Sequence, residues 1–301
     1  MYERIIVLGA GAVGSVYAAF LSRRHEVTII GNEAHVRAVN SKGLTIVGDE
    51  KETIHLKAMT KIEDIPAKTL VILTTKAYDT ARAADSIRNL LKDDTVILIL
   101  QNGLGNEEIV KNIMSGNHAI VRGVTSMAAE LLEPGLVRHW EGETVIGQND
   151  VAKEIVELFK ECGLETTFSD NIKQDVWTKL VVNCVVNPLT AILGVTDGAI
   201  VVDSLKPVRN EIVAECLRAA RAEGIKLLDD SIERIDRKVA VYSNFSSMYH
   251  DVMKGKKTEI DFLNGRIVEL CAKHRIQAPT NTTLVCFIKF LEGKNGISRQ
   301  D

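Results

Sequence analysis

The chain has 301 residues, 46% hydrophobic and 26% charged, with a formal net charge of −3. Such a composition fits a globular protein of one large or two medium domains, and the near-neutral charge argues against nucleic acid or an anionic membrane as the main partner. No apolar run reaches about 18 residues without a charged or polar break, so no membrane span is expected.

The five cysteines are scattered with no C-x-x-C pair, and the seven histidines include no H-x-x-x-H pair. No metal site is supported, and reduced thiols in a cytoplasmic protein are expected. The opening "MYERIIVLGAG" places charges before a short strand and glycines where an h-region should continue, so it does not read as a signal peptide.

The first strand, "RIIVLG", runs directly into "GAGAVG", with Gly9, Gly11 and Gly14 in G-x-G-x-x-G spacing, and then into the helix "AVGSVYAAFLSRR". In this context the first glycine permits a tight turn, the second lets the backbone approach a pyrophosphate, and the third lets helix pack on strand. Gly9, Ala10, Gly11, Ala12, Val13 and Gly14 are therefore candidate cofactor-binding residues, with the helix N-terminus facing the phosphates.

The second strand, "EVTII", ends in Gly31 and Asn32, with Glu33 one place later. An acidic residue there would hold the ribose 2′-OH of NADH, and an arginine would meet the 2′-phosphate of NADPH. Asn32 brings no positive charge and tilts the choice toward NADH, with Arg37 as a reserve phosphate ligand. "GLTIVGDEKETIHLKA" reads as a hairpin turning near Gly48-Asp49. The strands "LVILTT" and "TVILIL" lead into "TTKAYD" and "QNGLGNEE", which place Lys76 and Asn102 at the sheet edge where ligands bind in this architecture. A further β-rich stretch covers 119–147 and turns at "EPG", Glu133 to Gly135. Apolar strands alternating with helices predict a doubly wound, Rossmann-like parallel sheet.

From about residue 170 helical periodicity takes over, through 170–193, 204–223, 229–241 and 257–274. The expected boundary lies at "FSDN", 168–171, where Ser169 or Asp170 would cap the next helix. This gives a dinucleotide-binding domain at 1–169 and an all-α domain at 170–301, an arrangement that leaves a ligand-holding cleft.

The first helix of that second domain carries Lys179, Asn183 and Asn187 at a strict spacing of four within "WTKLVVNCVVNPLTAILGV". Steps of four turn the helix by about 40°, so the three line one face, where burial is costly without a polar partner. Pro188 should break the hydrogen-bond ladder, free a carbonyl and bend the helix. "YSNFSSMYHD" offers Asn244, Ser246, Ser247 and Asp251, with Ser246 or Ser247 as a cap. "KKTEIDFLNG" puts Glu259 in the first turn of an amphipathic helix, after Thr258. The apolar helical domain leaves room for a homodimer.

The motifs "VLGAGAVG", "SKGL", "TTKAYD", "QNGLG", "WTKLVVNCVVNPLTAI", "SSM" and "TEIDFLNG", in that order, resemble the ketopantoate reductase (2-dehydropantoate 2-reductase) family through nearly the whole chain. The resemblance implies NAD(P)H-dependent reduction of ketopantoate to pantoate, in pantothenate and coenzyme A biosynthesis. By the same resemblance, Lys179 is the catalytic acid and Glu259 the acidic partner near substrate and nicotinamide. Asn183, Asn187, Asn244 and Ser247 hold the keto acid and its hydroxyl, Lys76 and Asn102 lie at the cofactor–substrate junction, and Ala129 follows the strand that passes the nicotinamide.

Three positions depart from the family pattern: Asn32 where an arginine is frequent, Asp79 where a glutamine is common, and Asp197-Gly198 in place of Asn-Gly. Two alternatives stand beside this reading. One is another small keto-acid or hydroxy-acid reductase on the same scaffold, and the other is a non-catalytic NAD(P)-binding regulator with no need for Lys179 and Glu259 together.

Overall fold

The computed structural model describes residues 2–114, 118–227 and 231–297. The chain divides into two compact units, Met1–Asp175 and Val176–Asp301. In chain order the first unit contains β1 (Arg4–Leu8), α1 (Ala12–Ser22), β2 (Val27–Ile30), α2 (Glu33–Lys42), β3 (Leu44–Val47), β4 (Lys51–Ile54), β5 (Lys57–Met59) and β6 (Thr69–Leu73). It continues with α3 (Thr80–Ile87), β7 (Val96–Ile99), α4 (Asn106–Ile113), β8 (Ala119–Thr125), β9 (Ala128–Glu133), β10 (Leu136–Trp140), β11 (Thr144–Gly147), α5 (Ala152–Glu161) and β12 (Thr166–Ser169).

Eight strands form one sheet in the order β12-β11-β8-β7-β6-β1-β2-β5. Its pairings are parallel except that of β11 with β8. The alternation of β1 explains why its sequence is apolar throughout. Ile5 and Val7 face a core shared with Val16 and Tyr17 of α1 and Phe159 of α5, while Ile6 and Leu8 face a second core with Ala84 and Ile87 of α3 and Val110 of α4. With both faces covered, neither set of side chains has a solvated side.

The expected hairpin is present: β3 and β4 pair antiparallel around Gly48, whose N–H donates to the Glu50 carbonyl at 2.9 Å. It belongs to a second, four-stranded sheet of order β4-β3-β10-β9. The β-rich stretch at 119–147 is thus shared between sheets, β8 and β11 going to the large one and β9 and β10 to the small one. Gly135, at φ +84°, takes the turn between β9 and β10 in a conformation that suits glycine.

The second unit is helical in every described element. α6 (Ile172–Leu193) begins in the first unit and carries most of its length in the second, followed by α7 (Lys206–Ala222), α8 (Ser231–Val239), α9 (Ser247–Met253), α10 (Asn264–Lys273) and α11 (Pro279–Ile297). By length and composition α6, 22 residues long with an 18-residue window of mean hydropathy 1.5, is apolar enough to cross a membrane, but 72% of that window is buried within the protein. The Asn171 side chain, rather than Ser169 or Asp170, accepts the Gln174 N–H (3.3 Å) at the start of α6, and Ser169 supports it by accepting the Asn171 N–H.

The expected helix at 257–274 is interrupted. A 3-10 turn at Ile260–Phe262 comes first, Leu263 breaks the path at φ −107°, ψ −105°, and α10 starts only at Asn264. α9 and α11 were not expected from periodicity.

Candidate active site

The glycine loop separates what the fold requires from what a ligand requires. Gly9 sits at φ +125°, and a Cβ there would lie 2.5 Å from the Thr75 nitrogen. At Gly14 a Cβ would meet the Gly9 carbonyl oxygen at 2.1 Å and Thr74 Oγ1 at 2.4 Å. Both glycines let α1 close onto β1 and β6. Gly11 differs, because a Cβ there meets nothing within 4 Å. Its missing side chain serves no internal contact and leaves the backbone open to a close-approaching group. No side chain caps α1, so its first N–H groups are left for an anion. These residues fit a dinucleotide pyrophosphate. The loop is tied to the end of β2: the Gly9 and Ala10 N–H groups donate to the Ile30 carbonyl at 3.0 and 2.7 Å.

After β2, Asn32 uses its side-chain oxygen to accept the His35 N–H at 3.0 Å, capping α2. Its amide nitrogen is the group left for a ribose hydroxyl. The Arg37 guanidinium lies 2.5 Å from Glu33, both of them exposed. His35 ties α1 and α2 together and reaches the turn at Gly135. Its Nδ1 accepts the Gly135 N–H (3.2 Å), so Nε2 carries the proton and donates to Ser15 Oγ (3.2 Å). Burial holds the His35 pKa below 6.5.

The loops bearing Lys76 and Asn102 are tied to one another. Gln101 Nε2 donates to the Thr75 carbonyl (3.0 Å), Thr75 Oγ1 (2.8 Å) and Thr80 Oγ1 (2.8 Å). The Asn102 carbonyl accepts Asn106 Nδ2 at 2.9 Å. Beneath them Arg122, 7% exposed, donates to the carbonyls of Ile99 (2.8 Å), Gln101 (2.7 Å) and Gly123. Burial brings its pKa down to about 10. Gln101 and Arg122 escaped the sequence reading, although an arginine inside the apolar run "AIVRGVT" was a visible signal. Lys76 is half-buried where β6 passes into a 3-10 turn, and Asp79 pairs with Arg82 at 2.8 Å. Ala129 lies on β9 of the small sheet, opposite His139, and packs against the same core as Ala12 and Val13.

In the second unit, α6 carries Lys179 half-buried and Asn183 and Asn187 buried at 6% and 8% exposure. Asn183 Nδ2 is buried with no hydrogen-bond partner among the described residues. Desolvation brings the Lys179 pKa down to about 8, with the cation of Lys238 helping and the carboxylate of Asp197 opposing. Asp197, 7% exposed, is itself pushed up to about 6 by burial, against the Asn244 hydrogen bond and the Lys179 charge. Asn244 Nδ2 donates to Asp197 Oδ2 at 2.9 Å, and the Asp197 N–H returns to the Asn244 carbonyl at 2.9 Å. Asp197 Oδ1 is buried without a hydrogen-bond partner among the described residues.

Arg209 fixes this neighbourhood from below. It holds Asp236 of α8 through Nε (3.0 Å) and Nη2 (2.7 Å), and the carbonyls of Ile200 and Val202 through Nη1 (2.6 and 2.9 Å). One buried guanidinium therefore places both the segment following Asp197 and the helix that carries Lys238. Lys179, Lys238, Asp197 and Asn244 form one electrostatic group, and Asp197 and Lys238 are members whose role the sequence left open.

Ser246 is the cap of α9, accepting the Tyr249 N–H at 3.1 Å, and lies 2.7 Å from Thr190 Oγ1; Ser247 is exposed. Glu259, 7% exposed, sits just before the 3-10 turn instead of inside an α-helix. Its segment is clamped to α11: Glu292 Oε1 accepts the Thr258 N–H (2.8 Å) and hydroxyl (2.7 Å), and Lys289 pairs with Asp261 at 2.6 Å.

Two family descriptions match the chain, "Ketopantoate reductase PanE/ApbA" over residues 5–150 and "Ketopantoate reductase PanE/ApbA C terminal" over 171–292. A 2-dehydropantoate 2-reductase of Pyrococcus horikoshii is 38% identical, covering 98% of this chain and 100% of that protein. The crystal structure of a PanE/ApbA family ketopantoate reductase from Ralstonia eutropha JMP134 superposes with a TM-score of 0.89 at 32% identity, covering 97% of this chain and 99% of that one. A ternary structure of D-mandelate dehydrogenase with NADH and anilino(oxo)acetate superposes with a TM-score of 0.91 at 29% identity, over 97% and 99% of the two chains. The chain belongs to the ketopantoate reductase PanE/ApbA family of NAD(P)H-dependent oxidoreductases.

Proposed function

We propose that this chain reduces 2-dehydropantoate to pantoate, with Lys179 as the proton donor. The observation that carries this reading is the row on α6. Lys179 makes no hydrogen bond or ion pair among the described residues, and Asn183 Nδ2 is buried beside it without an acceptor. A buried donor left unpaired costs about 1–3 kcal/mol, and an oxygen-rich anion relieves that cost. When bound, the reduced nicotinamide supplies the hydride.

The chain's own residues do the rest. As negative charge builds on the C2 oxygen, the Lys179 ammonium polarises that oxygen and then gives it a proton from Nζ. A pKa of about 8 keeps the group mostly protonated at neutral pH while making it a stronger acid than a solvated lysine. Asn183 and Asn187 donate amide hydrogens to the carboxylate. Asp197 Oδ1 is an acceptor and suits a substrate hydroxyl, with Asn244 and Ser247 beside it in this role. Glu259 is the acidic partner near the reacting centre.

Gly9, Ala10, Gly11, Ala12, Val13 and Gly14 hold the pyrophosphate, and Asn32, Lys76, Asn102 and Ala129 complete the cofactor's surroundings. The neutral Asn32 amide and the pairing of Arg37 with Glu33 favour NADH.

A second reading is supported by the likeness to D-mandelate dehydrogenase: reduction of a 2-keto acid that has no hydroxyl of its own. Initial rates of NADH and NADPH oxidation with 2-dehydropantoate, and with a hydroxyl-free branched 2-keto acid, separate the two. Faster turnover of the hydroxyl-free acid overturns the first reading.

A further inference from the structure

Pro188 lies inside α6 and has no N–H, so the carbonyl four residues back, that of Cys184, loses its helical donor. The gap is filled from another helix: Asn264 Nδ2, at the start of α10, donates to the Cys184 carbonyl at 2.9 Å. Asn264 is itself held in place. Its Nδ2 also donates to Asn281 Oδ1 at 2.9 Å, and Asn281 Nδ2 donates to Glu215 Oε2 at 2.6 Å. Glu215 accepts the backbone N–H groups of Thr280 and Asn281 as well, each at 2.8 Å. Glu215, Asn264 and Asn281 are all 0% exposed.

A proline inside a helix is strongly unfavourable, and so is a carboxylate taken wholly out of water. Here both are kept, and the relay joins them. The opened stretch begins at Cys184, directly after Asn183, and ends at Pro188, directly after Asn187. Asn183 thus stands immediately before the opened stretch and Asn187 within it, next to the proline.

We infer that Pro188 and Asn264 act together as a positioning pair for substrate binding: Pro188 opens α6 at Cys184, and Asn264 holds the opening in one geometry so that Asn183 and Asn187 address a single anion. The inference rests on the reading of α6 as the substrate face. If the relay were only structural, removing the proline would improve the helix and leave substrate binding untouched. If it positions the asparagines, the same change improves or preserves stability and damages binding.

The experiment compares full-length Pro188→Ala, Asn264→Leu and the double variant by thermal midpoint, NAD(P)H dissociation constant, and kcat and KM for 2-dehydropantoate. Pro188→Ala returns an N–H to the Cys184 carbonyl. Its midpoint is expected unchanged or higher, with KM raised about tenfold or more, the size of losing one hydrogen bond to a charged group. Its NAD(P)H dissociation constant should stay unchanged. Asn264→Leu keeps the volume but loses the donor, so it should lower the midpoint and raise KM. In the double variant most of that loss of midpoint should vanish, while KM stays high.

Wild-type KM in Pro188→Ala, or additive midpoint losses in the double variant, would overturn the inference. Asn183→Ala and Asn187→Ala serve as references. Unchanged KM in both overturns the substrate reading of α6, and the midpoint coupling then still decides whether Pro188 and Asn264 are partners.

Discussion

Lys179 gives the sharpest prediction, because its pKa has been moved from 10.5 to about 8 and the causes can be removed one at a time. With Lys179 as the proposed proton donor, reduction needs the ammonium form. At pH 7 a group of pKa about 8 is protonated by about ten to one, and at pH 9 that ratio is reversed. The rate kcat/KM for keto-acid reduction should therefore be level up to about pH 8 and fall about tenfold per unit above it. Oxidation of pantoate needs the free amine and should show the opposite profile, rising to a plateau above pH 8. The assay is initial-rate nicotinamide absorbance from pH 6 to 10, in both directions. Lys238→Ala removes a repelling cation and should move the midpoint up. Asp197→Asn removes an attracting carboxylate and should move it down. Neither shift should match the one due to burial, which is the largest cause. A wild-type midpoint near 10.5, or a downward shift in Lys238→Ala or an upward one in Asp197→Asn, would refute the argument. In Lys179→Met, kcat should fall by about 10²- to 10⁴-fold.

Other consequences are as direct. His35 has a folded pKa held below its ordinary 6.5, so the unfolded chain takes up the proton first as pH falls. Its stabilising contribution is complete above about pH 6.5 and is lost as pH drops below it. The urea midpoint should thus be lower at pH 5.5 than at pH 7.5, with a smaller difference in His35→Gln. Gly11→Ala should keep the wild-type melting temperature yet weaken NAD(P)H binding about tenfold or more, because the added Cβ meets nothing within 4 Å among the described residues and stands where the pyrophosphate would approach. Gly14→Ala should lower the melting temperature, because its Cβ runs into backbone. Arg122→Met leaves three buried carbonyls without their donor and should cost roughly 3 kcal/mol or more by chemical denaturation. Wild-type stability in that variant would show that the clamp carries no weight.

What could be read from the sequence followed the range of the interactions. β1, its glycine turn and α1 are specified within about twenty residues, so composition and spacing exposed them. The row of Lys179, Asn183 and Asn187 was equally legible, because helical geometry alone puts them on one face. The carbonyl freed by Pro188 could be foreseen, but the group that fills it, Asn264, lies 80 residues away. Asp197 and Lys238 act on Lys179 from separate segments, and no local pattern names them. α11 was missed because threonines at 280, 282 and 283 are poor helix formers and its exposed Phe287 and Phe290 blur the apolar stripe. Its start is fixed by Glu215 of α7, a tertiary contact. The helix read at 257–274 failed for a related reason: Thr258 has the look of a cap, but its hydroxyl and N–H go to Glu292, and the chain turns at Leu263 before α10 begins.

The anchor of Glu259 also bears on how this protein can be handled. Thr258 is fastened to Glu292 across 34 residues of sequence, and Asp261 to Lys289 across 28. A shortened version ending before Lys289 would retain every residue assigned a role in the reaction, and an alignment of its motifs would find nothing missing. It would nevertheless have lost both fasteners of the segment that presents Glu259. On the role proposed for Glu259, fusion partners and truncations at this end of the chain are therefore changes to the candidate active site, and they belong beyond α11.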